Sequence, residues 1–328
     1  MNLSTHVSLD EYCRPFIGAG SQWPDLPLPA QPSQIWWQQW LQETPVESHF
    51  KSLRSFLPQL FIKPHTGAST SEAYKHLVLR GGKEIQINQE ATLQLNDPQA
   101  FSIRLVDHIF GAVPVIEIGD QNDFLNVVCC LAYRCELNQI QPSVHAQAVA
   151  GLIHWGLIRT VNKYERAQLI ILHRSPYSSL PASTIPGNPT TSQWLEISQH
   201  WRLEHELTHL ATQRLVGEMR LNLFDELVAD SLGMLKALQF FSADLFRHSL
   251  GLNVDATTSE NGRVHTYLVG LDHKNSQIAC KYVLQRATEL EKLLSARLIP
   301  YKRIPLLRYL TQQKLDQAFL VPHHLTND

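Results

Sequence analysis

Residues 205–209 read His-Glu-Leu-Thr-His, and this pentapeptide constrains the chain more than any other stretch of its 328 residues. Histidines four apart share one face of a helix, so His205 and His209 can offer imidazole nitrogens to a single metal ion when the segment is helical. Glu206 projects to the side of the same point, where a carboxylate can take a proton from water rather than ligate. On a helical wheel centred on His205, the residues Trp201, Thr208, His209, Thr212 and Val216 fall nearby, and Leu203, Leu207 and Leu210 fall opposite. The pattern predicts a helix over 192–216 that buries its leucine side and turns its histidines toward a cleft.

A second run, Asp225-Glu226-Leu227-Val228-Ala229-Asp230, follows after a connection containing Gly217, in a helix expected over 221–238. Catalytic zinc commonly takes three protein ligands and leaves the fourth position to water, and two histidines plus one glutamate is a standard set. Glu226 is the candidate third ligand, with Asp225 and Asp230 as alternatives. Asp230, one turn further on, is placed to accept the other ring N–H of a ligating histidine and so fix its tautomer. Paired acids at helical spacing usually form a solvated face. Here Leu223, Leu227 and Leu235, with Ala229 and Met234 beside them, mark a largely buried helix in which solvated acids are less expected.

Together, H-E-L-T-H and D-E-L-V-A-D resemble the motifs of gluzincin zinc metallopeptidases, the class that includes thermolysin-like enzymes. The likeness covers about residues 192–240, and the gap from His209 to Glu226 is somewhat shorter than in the best-known members. The resemblance implies a zincin-like core, zinc ligands at His205, His209 and Glu226, a general base at Glu206 and a supporting role for Asp230. No glycine and histidine follow the first motif as they do in metzincins. A hydrolase of this class also needs a donor for the developing oxyanion. The polar stretch 253–267, where Arg263, His265 and Tyr267 alternate, is the expected source, with His265 the first choice and Tyr267 the second. By the same resemblance, the run 168–173 is a candidate edge strand able to pair with an extended peptide; its apolar middle fits a central buried strand equally. The stretch 175–191, rich in Ser, Thr and Pro, reads as a long loop, and such loops often act as lids or binding loops.

The remaining sequence bounds the partners. A net charge of −2 provides no general attraction to nucleic acid or anionic membranes. No apolar run approaches the roughly 20 residues that span a bilayer, and the opening MNLSTHVSLDEY has neither a basic nor an apolar signal region, so the expected location is the cytoplasm. The five cysteines lack C-x-x-C spacing, which agrees with that location, and Cys129, Cys130 and Cys135, in one helical run, are expected as small buried thiols. Trp37 and Trp40 can share one helix face and are expected to pack in a core or between domains. Strands are expected over 83–88, 91–95 and 113–119, the last at an edge or a strand beginning because it contains a proline. From about residue 121 helices dominate, over 122–137, 144–161, 192–216, 221–238, 243–250, 277–298 and 304–319.

The expected fold is therefore α+β and α-rich, with an N-terminal mixed region over 1–120 and a helical catalytic region over 121–328. The expected activity is zinc-dependent hydrolysis of amide bonds in a peptide or protein, by endopeptidase or aminopeptidase action. The alternative is a non-catalytic zinc-binding protein that keeps the site for structure or regulation.

Overall fold

A computed structural model describes residues 7–18, 22–82, 89–162, 164 and 166–321. The chain is α+β and about half helical, with one small mixed sheet. It divides into two compact units, one of residues 26–140 and 145–174, the other of 1–25, 141–144 and 175–328. The expected boundary near residue 120 does not coincide with this division. The reason is the sheet: strand β2 (Gly111–Ile118) pairs in parallel with β4 (Ala167–His173), and a parallel pair needs a crossover, which keeps residues beyond 120 in the sheet unit.

In the sheet unit the strand order is β1-β2-β4-β3, with β1 at Phe101–His108 and β3 at Ala146–Leu152. β1 and β2 form an antiparallel hairpin, and β3 runs antiparallel to β4. The run 168–173 is thus an internal, almost wholly buried strand, and not an edge open to a peptide. β2 is internal too, so of the two positions its proline suggested, an edge or a strand beginning, the edge is not met. Its ladder to β4 begins at Val115, one residue after Pro114, so β4 never requires the N–H that proline lacks. The segment 144–161, expected as one helix, is strand β3 followed by the short helix Trp155–Thr160, because the exposed edge of β4 captures its first half. Of the other expected strands, 91–95 contributes only a single bridge, Thr92 to Ile62, and 83–88 lies outside the described residues.

One core fills this unit, formed by the helix Pro32–Glu43, the helix Gln121–Ala132 and the inner sheet face. Trp37 and Trp40 are both buried in it, as their spacing predicts. All five cysteines are free and buried. His154 is also enclosed, its ring centroid 4.5 Å from that of Trp36 and 5.1 Å from that of Trp37, and its Nδ1 accepts the N–H of Leu157 at 3.2 Å to cap the helix. Burial pushes its pKa down to about 3. The native chain therefore keeps His154 neutral while the unfolded chain takes up a proton below about pH 6.5, so stability present above that pH drains away as the pH falls toward 3. His154→Asn, which retains a capping acceptor, is expected to remove a slope of about 1.4 kcal/mol per pH unit from the stability profile between pH 6 and 4. Urea unfolding at stepped pH checks this, and parallel profiles for the two proteins would refute it.

The second unit is helical. Its longest elements are Thr191–Val216, Leu223–Ala237 and His273–Ser295, and Ala243–Leu250 is a shorter helix. The helix expected over 304–319 is shorter, Arg303–Thr311, because the N–H of Leu315 donates to the carbonyl of Cys13 instead of continuing the helical ladder. The N-terminal residues belong to this unit as well. The Tyr12 hydroxyl donates to the carbonyl of Tyr267 and accepts the N–H of Leu223, both at 2.9 Å. Among the described residues, no helix is long and apolar enough to cross a membrane.

Candidate metal centre

Both motifs lie on one helical hairpin of the second unit. The first helix starts at a capping box: Thr190 Oγ1 accepts the N–H of Gln193, whose Oε1 accepts the N–H of Thr190. It ends at Gly217, where a φ of 81° places the backbone in the left-handed region that glycine adopts without strain. Asn222 then caps the second helix by accepting the N–H groups of Phe224 and Asp225. Gly233 lets the two helices approach: a Cβ there would stand 2.5 Å from Trp201 Cδ1 and 2.9 Å from its carbonyl oxygen, so only hydrogen fits. The wheel's prediction of one buried and one open face is not met: from Glu204 to Thr212 every residue is buried, and the second helix packs along the first.

Within this hairpin, ligand atoms of His205, His209 and Glu226 lie within 4.8 Å of one another. His209 Nε2 is 3.0 Å from His205 Nε2 and 3.3 Å from Glu226 Oε1, and Glu226 Oε2 is 3.5 Å from His205 Nε2. Each histidine has its own carboxylate behind it. His205 Nδ1 donates to Asp230 Oδ1 at 2.8 Å, as the sequence predicts. His209 Nδ1 lies 3.2 Å from Asp225 Oδ1, an ion-pair distance that is off the line of a hydrogen bond. Asp225 and Asp230, the alternative third ligands, thus stand on the far side of the imidazoles, and Glu226 alone of the three acids joins the Nε2 atoms.

The electrostatics favour a cation. The two Nε2 atoms face each other in a buried space, where a metal ion would take the lone pair of each imidazole in place of a proton. Three buried carboxylates (Asp225, Glu226, Asp230) face the two imidazoles, and the buried guanidinium of Arg263 pairs with Glu226 and Asp230. Burial by itself would lower the pKa of His209, but Asp225 and Glu226 outweigh it and push it well above its ordinary value. Burial would likewise raise the three acids. Instead His209 holds Asp225 low, His205 and Arg263 hold Glu226 low, and Arg263 with His205 holds Asp230 far below the usual carboxylate range. The three ligand atoms could hold a metal ion.

Of the remaining expected residues, Glu206 is 9% exposed against 3% for each histidine, and its charge is one of those that raise the pKa of Tyr267. The Tyr267 hydroxyl lies 3.3 Å from Arg263 Nη1; burial and the neighbouring Glu226 keep it protonated. His265 is not brought into the group. It is exposed on the short helix Val264–Tyr267, with Nε2 2.9 Å from the carbonyl of Ser259.

Three residues for which the sequence suggested no role complete the centre. Trp201 Nε1 donates to Asp230 Oδ1 at 2.9 Å, and its position one turn before His205 on the same face was a readable signal. Arg263 bonds Glu226 and Asp230. Tyr177 donates its hydroxyl to Asp230, lies 3.0 Å from His205 Nδ1 and stacks on Trp201 with centroids 4.1 Å apart. It comes from the Ser- and Pro-rich loop, where nothing in the local sequence marks it. Arg202 fastens that loop by donating to the carbonyls of Ser175 and Pro176.

These features define an α+β protein whose helical hairpin carries a buried His-His-Glu group. A model of a family of unknown function, DUF7005, matches residues 9–168 and 157–317, and the chain belongs to that family. No curated protein and no solved structure matches the chain.

Proposed function

We propose that this protein is a zinc-dependent hydrolase of amide bonds, a peptidase of the gluzincin kind with a zincin-like core built on the motif hairpin. The observation that carries this reading is the convergence of His205, His209 and Glu226 in one buried group, each imidazole backed by a carboxylate. Two imidazoles and one carboxylate are a donor set of catalytic zinc. When bound, zinc supplies Lewis-acid polarisation of a carbonyl and an acidified water. The chain's own residues do the rest. His205, His209 and Glu226 hold the ion, and Asp230 and Asp225 fix the two rings. Glu206 takes a proton from water and passes it to the leaving amine. Tyr267, kept protonated by its surroundings, is the donor this reading assigns to the carbonyl oxygen. The substrate is a peptide or protein.

One observation favours a second reading. The three ligands are only 1–3% exposed, and structural zinc sites are closed whereas catalytic ones keep a position open. In that reading the ion holds the hairpin together without turnover.

Elemental mass spectrometry of the purified protein beside His209→Ala tests the metal. About one zinc per chain is expected in the wild type, with loss in the variant. A peptide-library digest read by mass spectrometry then tests hydrolysis. A wild type that takes up no zinc when it is supplied would overturn both readings.

A further inference from the structure

We propose that Arg263 is a positioning residue of the metal centre: its guanidinium fork ties the ligand carboxylate of Glu226 to the Asp230 carboxylate that orients His205, and zinc affinity depends on this fork and not only on a positive charge. The inference rests on the reading of His205, His209 and Glu226 as zinc ligands.

Glu226 and Asp230 are four residues apart on one helix, where like charges oppose each other, and both are buried at 0–1% exposure. Arg263 reaches them from a distant part of the sequence. Nη1 donates to Glu226 Oε2 at 2.7 Å and Nη2 to Asp230 Oδ2 at 2.6 Å, while Nε donates to the Ser249 carbonyl at 2.9 Å. The remaining contacts are Nη1 to the Tyr267 hydroxyl and Nη2 to Ser249 Oγ, both at 3.3 Å, and Nη2 to the Tyr177 hydroxyl at 3.4 Å. The guanidinium is thus occupied on every nitrogen by the protein itself, which distinguishes it from an arginine held ready for a substrate carboxylate.

The other oxygen of Asp230 accepts from His205 Nδ1 and Trp201 Nε1. A path of hydrogen bonds therefore runs from Glu226 through Arg263 and Asp230 to His205, starting on one ligand and finishing on another. Two carboxylates on successive turns are spanned by a planar fork whose donors point in fixed directions. An ammonium is a compact point charge on a flexible stem and cannot reproduce both contacts at once. Losing the hydrogen-bonded support of a metal ligand typically weakens metal binding 10–100-fold.

The test is competition for zinc against a chromophoric chelator, with wild type, Arg263→Lys and Arg263→Gly, together with the d–d spectrum of each cobalt(II) form. Both variants are expected to bind zinc about 10–100-fold more weakly and to shift the cobalt spectrum. Guanidinium at millimolar concentration should restore Arg263→Gly, whereas methylammonium should not. If the arginine only supports the fold, the variants lose stability but keep zinc affinity within about twofold and leave the cobalt spectrum unchanged; that result overturns the proposal. Variants that do not fold even with zinc and guanidinium present also overturn it, by assigning Arg263 to the fold alone. A wild type without zinc affinity overturns the zinc reading itself, and is recognised because it appears before any variant is compared.

Discussion

Glu206→Gln is expected to lower peptide hydrolysis about 10²–10⁴-fold, the usual contribution of a positioned general base, while the zinc content stays at the wild-type level. The amide has nearly the shape of the carboxylate but cannot take up a proton, and Glu206 is not among the residues whose ligand atoms converge. Measuring turnover and zinc on the same preparation separates the two readings of the centre. If the ion only joins the hairpin, Glu206→Gln changes neither quantity, and the wild type already lacks turnover. Loss of zinc in this variant would contradict the role assigned to Glu206, since it would make that side chain a ligand or its support.

Asp230→Ala is expected to destabilise the metal-free protein by about 3–5 kcal/mol, the cost of breaking a buried ion pair by removing one partner. Asp230 is wholly buried and receives Arg263 at 2.6 Å, His205 at 2.8 Å and Trp201 Nε1 at 2.9 Å, together with the Tyr177 hydroxyl. After truncation Arg263 keeps Glu226 alone as its ion partner, and the indole N–H of Trp201 loses its acceptor in a place water does not reach. Urea unfolding of the metal-free variant measures the change, provided the slope with denaturant matches the wild type. A loss below about 1 kcal/mol would show that the site relaxes around the deletion and that the network is not rigid.

The centre was legible in the sequence wherever its parts are close along the chain. Spacing of four places His205 and His209 on one face, and the same spacing brings Trp201 and Asp230 into line with their partners, because helix geometry is local. Glu226 was expected from the type of residue a third ligand must be, in a helix too apolar for solvated acids, and its carboxylate does converge with the two imidazoles. Residues that arrive from elsewhere were not legible. Tyr177 sits in a loop with no periodic pattern, and Arg263 shares its stretch with His265, a more familiar catalytic residue type that remains at the surface. The exposure of an internal strand is also a non-local property, which is why β4 could be read as an edge until its two neighbours were known.

The amino-acid sequence by itself determined the two helices to within a few residues, the connection at Gly217, and the three residues whose ligand atoms converge, since these follow from propensity and spacing within a few turns. Only the tertiary structure decided that the histidine face is enclosed, that Asp225 and Asp230 stand behind the imidazoles, and that a single guanidinium joins Glu226 to Asp230. Those facts depend on which segments pack together across long sequence separations, and the number of such pairings is too large for local pattern to select among them.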